Sequence, residues 1–363
     1  MTHTEVGAST TTHRGERSSK WLKWAKRGSL AVAAAAVMGF AQSAMALPNF
    51  SIIAPNEFIR LPMVKKPVWF YFQTGIYDHI NSAFGAHGGT TPEGVGTVYA
   101  GLSRFGQIEP SINLGGVEMG WAWEYLQPYS EFNLSSDSIL TGAANSSTTG
   151  LGDPIVLLGE YFRPNFKAMG REFDTTIGFW PVLSMPFGNN NTALSNHAWV
   201  FFPTIIGDVS TGPVGLNFTI GAKISGDADI PSNADKLRYG NQYFIQSDLH
   251  FRATKWLGLA IMNFYNISEA SNYVNKSGGV VSAAEAGADE VELLGHQIGS
   301  VFNTGCVAAG EGCVEDLIGP SATVYFSPMT WISAWYYTPL GFVGHNTFKD
   351  KAVMFRFVHL WMF

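Results

Sequence analysis

Charge is scarce in this chain. Asp, Glu, Lys and Arg make up 14% of its 363 residues, about half the roughly 25% of an ordinary soluble domain, too few to solvate a globular surface comfortably. Long apolar runs are scarce too: no stretch reaches the ~18 consecutive apolar residues a transmembrane helix needs. Basic charge is in deficit, with a formal net charge of −6, which argues against a nucleic-acid partner. Aromatic residues, by contrast, also reach 14%, and there are 40 glycines. That aromatic content excludes disorder. The mean hydropathy is only +0.07. Many aromatics, many glycines, little charge and a neutral mean fit a transmembrane β-barrel, in which lipid-facing apolar residues alternate with polar residues in the lumen.

The first 46 residues read as an export address. A polar leader ends in Lys20, Lys23, Lys26 and Arg27, followed by the 14-residue apolar core 28–41 and the small-x-small site Ala44-Met45-Ala46. This is a signal peptide with cleavage expected after Ala46; an uncleaved anchor would need a longer apolar core. The leader holds six Lys/Arg and two Asp/Glu, which leaves the remaining 317 residues at −10. The two cysteines, Cys306 and Cys313, both follow the signal. Export favours a disulfide between them over a metal pair, since no His lies near them in sequence.

Segments of strict alternation follow. In Lys351 to Phe363 the odd positions give Val353, Phe355, Phe357, His359, Trp361 and Phe363, whereas Arg356 falls on the even face. In Gln242 to Arg252, Tyr243, Ile245, Leu249 and Phe251 oppose Gln242, Gln246, Asp248, His250 and Arg252. Such runs of ~12–15 residues exceed the ~5–6 of a soluble strand. Twelve segments emerge: 67–80, 95–107, 113–134, 151–163, 172–187, 196–208, 212–226, 240–253, 256–270, 317–327, 329–340 and 351–363. The expected fold is an all-β, transmembrane antiparallel barrel of 12 strands over 67–363, with 14 as the alternative. Parity places 291–303 and the cysteine pair inside one long outer loop, 271–316. Residues 47–66, with three prolines and Pro67 directly after them, form an N-terminal periplasmic segment or a plug. The aromatic terminus Phe363 on an alternating strand looks like the signal read by barrel assembly machinery.

Thr149 to Val156 (TGLGDPIV), Pro186-Phe187-Gly188, Asn196 to Pro203 (NHAWVFFP) and Ile318 to Phe326 (IGPSATVYF) follow in order. Together they resemble the outer-membrane protein family tied to the meta-pathway of phenol degradation. The resemblance implies an outer-membrane barrel that passes hydrophobic or aromatic compounds. The loop 271–316 is longer than the family's.

Alternation sends Glu118, Glu124, Glu160, Asp174, Lys223, Asp248, His250, Arg252 and Arg356 inward. Opposed charges there could set a selecting field, or could form a polar network filling a narrow barrel. The inward aromatics expected by the same registers are Tyr71, Tyr77, Trp180, Trp199, Phe201, Tyr325 and Tyr336. His250 beside Asp248 invites a hydrolase, but Ser247 falls on the opposite face and no G-x-S-x-G occurs. Asp227, Asp229 and Asp235 lack the fifth-position ligand and closing Glu of a calcium loop, and read as a solvated turn. The expectation is therefore a monomeric channel in the cell outer membrane, contacting lipid and a small hydrophobic or aromatic solute. It needs no cofactor, metal or catalytic residue. The competing expectation is a barrel scaffold that presents its outer loops for surface binding.

Overall fold

The computed structural model describes residues 64–80, 82–84, 90–91, 96–134, 147–164, 166–188, 198–229, 236–270, 272–275, 277–281, 312–340, 344, 348–349 and 351–362. The expected signal peptide, nearly all of segment 47–66, segment 291–303, Asp235, Cys306 and Phe363 lie outside them.

Twelve antiparallel staves make one closed ring. They are β1 (Val68–Ile80), β2 (Gly96–Ile108), β3 (Val117–Leu134), β4 (Ser147–Leu151 and Ile155–Arg163), β5 (Arg171–Phe179 and Val182–Ser184) and β6 (Val200–Phe202 and Thr204–Thr211). They continue with β7 (Val214–Ser225), β8 (Gln242–Arg252), β9 (Leu257–Ser268), β10 (Cys313–Ser327), β11 (Thr330–Pro339) and β12 (Ala352–Met362). Each stave pairs with its neighbours in sequence. The ring closes where β1 pairs β12 from Val68↔Met362 to Asp78↔Ala352. Closure matters because an open edge in lipid would leave backbone N–H and C=O groups unsatisfied.

Local chemistry explains the tight end of the ring. Gly115 and Gly116 both take positive φ, 61° and 94°, the type I′ geometry whose twist matches flanking strands. Gly212, at φ 60° before Pro213, supplies the first position of a type II′ turn between β6 and β7. Pro328-Met329 joins β10 to β11 at the same end, where Ser327 pairs Thr330. The opposite end carries the long connections, so the expected alternation of short and long links holds. Beyond the barrel there, Asp227–Asp229, Lys236–Arg238, Asn272–Val274 and Val280–Val281 form a separate four-stranded sheet. Asp227 is held in a bidentate pair by Arg238 (2.9 and 3.1 Å), so it serves as a structural partner and not as part of a free turn.

The breaks in β4, β5 and β6 fall at Pro154, Pro181 and Pro203. Leu158 N donates to the Pro181 carbonyl (3.3 Å) and Ala222 N to that of Pro203 (3.2 Å); proline has no N–H to return the bond. Several boundaries differ from expectation by three or four residues, and two of the differences change what a segment does. The tenth segment begins at Cys313, not 317, so Cys313 belongs to the wall and not to the loop; it is buried and disulfide-bonded. The third segment's first residues, 113 and 114, belong to a separate strand, Ile112–Leu114, folded back on Val117–Met119.

The outer surface is an apolar belt, with Leu158, Leu249 and Ile261 each more than half exposed. Toward the tight end the rings of Trp69, Phe105, Trp123 and Trp361 gather at centroid distances of 5.2–6.4 Å, as in an interfacial girdle. Polar groups on this face are tied down. Gln73 accepts from Tyr71 (2.5 Å) and Ser103 (2.8 Å), and Asn263 donates to Asp316 (2.5 Å). Ile261 tests the belt. An Ile261→Arg variant should lose about 2–4 kcal/mol of unfolding free energy in bilayers, the cost of a cation near the midplane, as measured by denaturant titration in vesicles.

Candidate functional site: the barrel interior

The inward positions divide into an arginine–aromatic side and a carboxylate side. On the first, β1 and β2 place Phe72 opposite Arg104. The Arg104 guanidinium lies 4.8 Å from the Phe72 ring centroid. Its Nε and Nη2 donate to Glu124 Oε2 at 3.0 and 2.6 Å, and both side chains are almost wholly buried. Arg356, from β12, approaches the same Phe72 ring at 6.0 Å and the Trp335 ring at 5.5 Å. Its Nε donates to Thr74 Oγ1 (2.8 Å). One ring thus lies between two guanidinium groups, an arrangement that gains strength as water is excluded.

On the other side, β6, β7 and β8 align Asp208, Asn217 and Asp248 across one rung, all buried. Asn217 Nδ2 reaches Asp248 Oδ2 (3.5 Å) and His250 Nδ1 (3.2 Å). An amide NH₂ only donates, so Nδ1 accepts and the imidazole proton sits on Nε2, 4.0 Å from Asp208 Oδ2. Gly215 makes room for that ring, since a Cβ there would stand 2.3 Å from His250 Nε2. Higher on β7, fully buried Lys223 lies 5.8 Å from the Tyr239 ring. Near the short turns, Arg163 holds Asp174 through two 3.0 Å hydrogen bonds. The pair borders a cleft of about 370 Å³ shared with Glu118, Glu172 and Ser210.

Of the charges expected inside, Glu124, Lys223, Asp248, His250 and Arg356 are buried in the interior, and Arg252 stacks on Tyr325 at 4.7 Å. Asp174 lies at the rim, and Glu118 is exposed there. Glu160 is a correction: it faces outward and exposed, opposite Trp121 and Phe179, while Leu157 and Tyr161 turn in. Trp180 and Tyr325 are inward as expected. Tyr71, Tyr77, Trp199, Phe201 and Tyr336 are not; their neighbours Phe70, Phe72, Ile76, Val200, Phe202, Trp335 and Tyr337 are the buried ones. The physical cause is shared. These stretches are apolar or aromatic on both faces, so hydrophobicity does not fix parity, and a one-residue shift exchanges the faces completely.

Arg104, Asp208, Asn217 and Glu315 are interior residues that sequence reasoning missed. Signals existed for two of them. Arg104 shares the even parity of Leu102 and alternates with Phe105, and Asp208 alternates with Val209 as Arg356 does with Phe357. Among the described residues no group of three His, Cys, Asp or Glu side chains is placed to hold a metal ion.

The fold has a solved counterpart. An outer membrane channel from Pseudomonas putida F1 superposes with a TM-score of 0.62 at 14% identity, covering 85% of this chain and all of that one. Looser superpositions include the transport unit of the autotransporter AIDA-I from Escherichia coli (TM-score 0.39, 8% identity, 87% and 95% covered). A deletion mutant of the monoaromatic hydrocarbon channel TodX gives 0.33 at 8% identity, with 87% and 96% covered. The first likeness establishes a shared barrel architecture. By sequence, no family model and no curated protein matches.

The Arg104–Glu124 pair is open to a double-mutant cycle. Glu124→Gln alone should cost about 3–5 kcal/mol, because it strands a buried guanidinium, whereas Arg104→Met with Glu124→Met should cost clearly less than the sum of the single changes. Urea unfolding of the refolded barrel checks both.

Proposed function

We propose that this protein is an outer-membrane channel for passive uptake of small hydrophobic or aromatic compounds. The observation that carries the reading is the closed ring whose interior offers Phe72 and Trp335 beside Arg104 and Arg356. Rings supply apolar and π contact, and guanidinium groups orient a planar or weakly anionic solute. Two further supports are the shared architecture with a bacterial outer membrane channel and the sequence resemblance to the meta-pathway family, which points to aromatic cargo. The barrel then sits in outer-membrane lipid as a monomer, inserted through its terminal aromatic strand, with 47–66 as the closing element. That segment meets the barrel at Val64, which is buried in the core, and its carbonyl accepts from Ser111 N (2.8 Å). Passage requires no covalent step, and Ser247, the nearest hydroxyl in sequence to His250, lies on the face opposite it.

A second reading, a scaffold presenting its outer loops, draws on the four-stranded sheet beyond the barrel and on the dense burial of interior side chains. Flux separates the two. Liposomes carrying the full chain should take up toluene or benzoate several-fold faster than protein-free vesicles, and removing 47–66 should raise the rate further. Equal rates in all three preparations would leave the scaffold reading. Trp335→Ala should change solute preference, scored as the ratio of aromatic to aliphatic uptake, while the barrel still folds.

A further inference from the structure

The ring is not equally bonded all round. The seams β1–β12, β1–β2 and β2–β3 pair without a gap, as do β7–β8, β8–β9 and β9–β10. Four consecutive seams lapse. β3–β4 lapses between Leu126↔Ile155 and Tyr129↔Leu151, and β4–β5 between Leu157↔Val182 and Glu160↔Phe179. β5–β6 lapses between Phe179↔Ile205 and Val182↔Phe202, and β6–β7 between Phe201↔Ile224 and Thr204↔Gly221. Each stave from β3 to β6 carries one proline at this line: Pro128, Pro154, Pro181 and Pro203. Elsewhere β10–β11 lapses alone, at Gly319-Pro320.

Proline lacks the N–H that would complete each pair. At Pro128 a side chain replaces it, since Gln127 Nε2 donates to the Gly152 carbonyl at 2.9 Å. The matching acceptors opposite Pro181 and Pro203 are the Leu158 and Ala222 carbonyls. Among the described residues no side chain or turn amide donates to either, and in hydrocarbon no water makes good the loss. β4–β5 is the most thinly bonded of the four seams, with three register pairs on each side of its lapse.

Both faces of the wall are apolar at this point. Leu158 and Phe179 stand outside, 67% and 46% exposed, whereas Leu157, Trp180, Val182, Phe202 and Ile206 are buried inside. Gly159 adds no side chain to the wall, and the Trp180 indole covers it: a Cβ there would meet the ring at 2.6 Å. Once that ring turns aside, an uncharged solute exchanges one apolar surface for another. We propose that the β4–β5 seam, between Leu158-Gly159 and Trp180-Pro181, is a lateral outlet through which an uncharged apolar solute passes from the interior into membrane lipid, with Trp180 as its door. This rests on the channel reading.

The probe N-phenyl-1-naphthylamine, an uncharged aromatic amine that fluoresces in lipid, tests it in cells whose lipopolysaccharide leaflet excludes it. Cells carrying the full chain should brighten several-fold faster than cells without it. Pro181→Val with Pro203→Val returns both missing donors and should remove most of that gain, while leaving benzoate uptake into liposomes unchanged. Trp180→Ala should brighten faster than the native chain. Pro181→Val alone carries the test if the double variant does not fold, as judged by heat-modifiable migration. Valine variants that admit the probe at the native rate, or that slow benzoate equally, would overturn the outlet and leave the channel reading standing. A Trp180→Ala rate equal to the native one would overturn the door. Native-chain cells no brighter than empty cells would overturn the outlet alone if benzoate still enters liposomes, and both readings if it does not.

Discussion

Everything in this molecule depends on the hydrogen-bonded seam between its first and last staves. Val68 to Asp78 lies against Met362 to Ala352 without interruption, and this pairing turns a twelve-stranded meander into a ring. In hydrocarbon an unsatisfied backbone amide costs several kcal/mol, so the ring stands or fails as a unit. Local defects are then tolerable. Pro181 and Pro203 each remove one donor, yet the rest of the ring holds their strands in place.

Closure also creates two solvents for one chain. Every second residue meets lipid and the others meet a confined interior, so the same side chain has opposite consequences one position apart. Trp361 belongs to an aromatic girdle, whereas Trp335, facing in, accepts a guanidinium. Asp316, on the outside, is held by Asn263; Asp248, inside, shares its rung with a second carboxylate. In the confined space charges act on each other with little screening.

How legible this was differs from strand to strand. β8 and β12 could be oriented from sequence because one face is polar: Gln246, Asp248 and His250 against Ile245 and Leu249, and Arg356 against Phe355 and Phe357. β1, β6 and β11 could not, because VWFYF, VFF and AWYY carry aromatics at adjacent positions. Alternation alone accordingly puts Tyr71, Trp199, Phe201 and Tyr336 on the wrong face. Glu160 lies in the similar two-sided run IVLLGEYF, whose parity hydrophobicity does not fix. Cys313 reads as loop in sequence, since Asp316 on the lipid side masks the alternation of CVEDLIGP.

By itself, the sequence determined the architecture: low charge, aromatic abundance and long alternating runs admit a membrane barrel, and the spacing of turns sets its twelve staves. These are properties of local periodicity, which a linear chain displays openly. Only the tertiary structure decided which rings face in, that Arg104 and Arg356 share Phe72, and that Asp208, Asn217 and Asp248 meet on one rung. Those relations join residues as far apart in the chain as Phe72 and Arg356, and they follow from strand register, a quantity that exists only between strands.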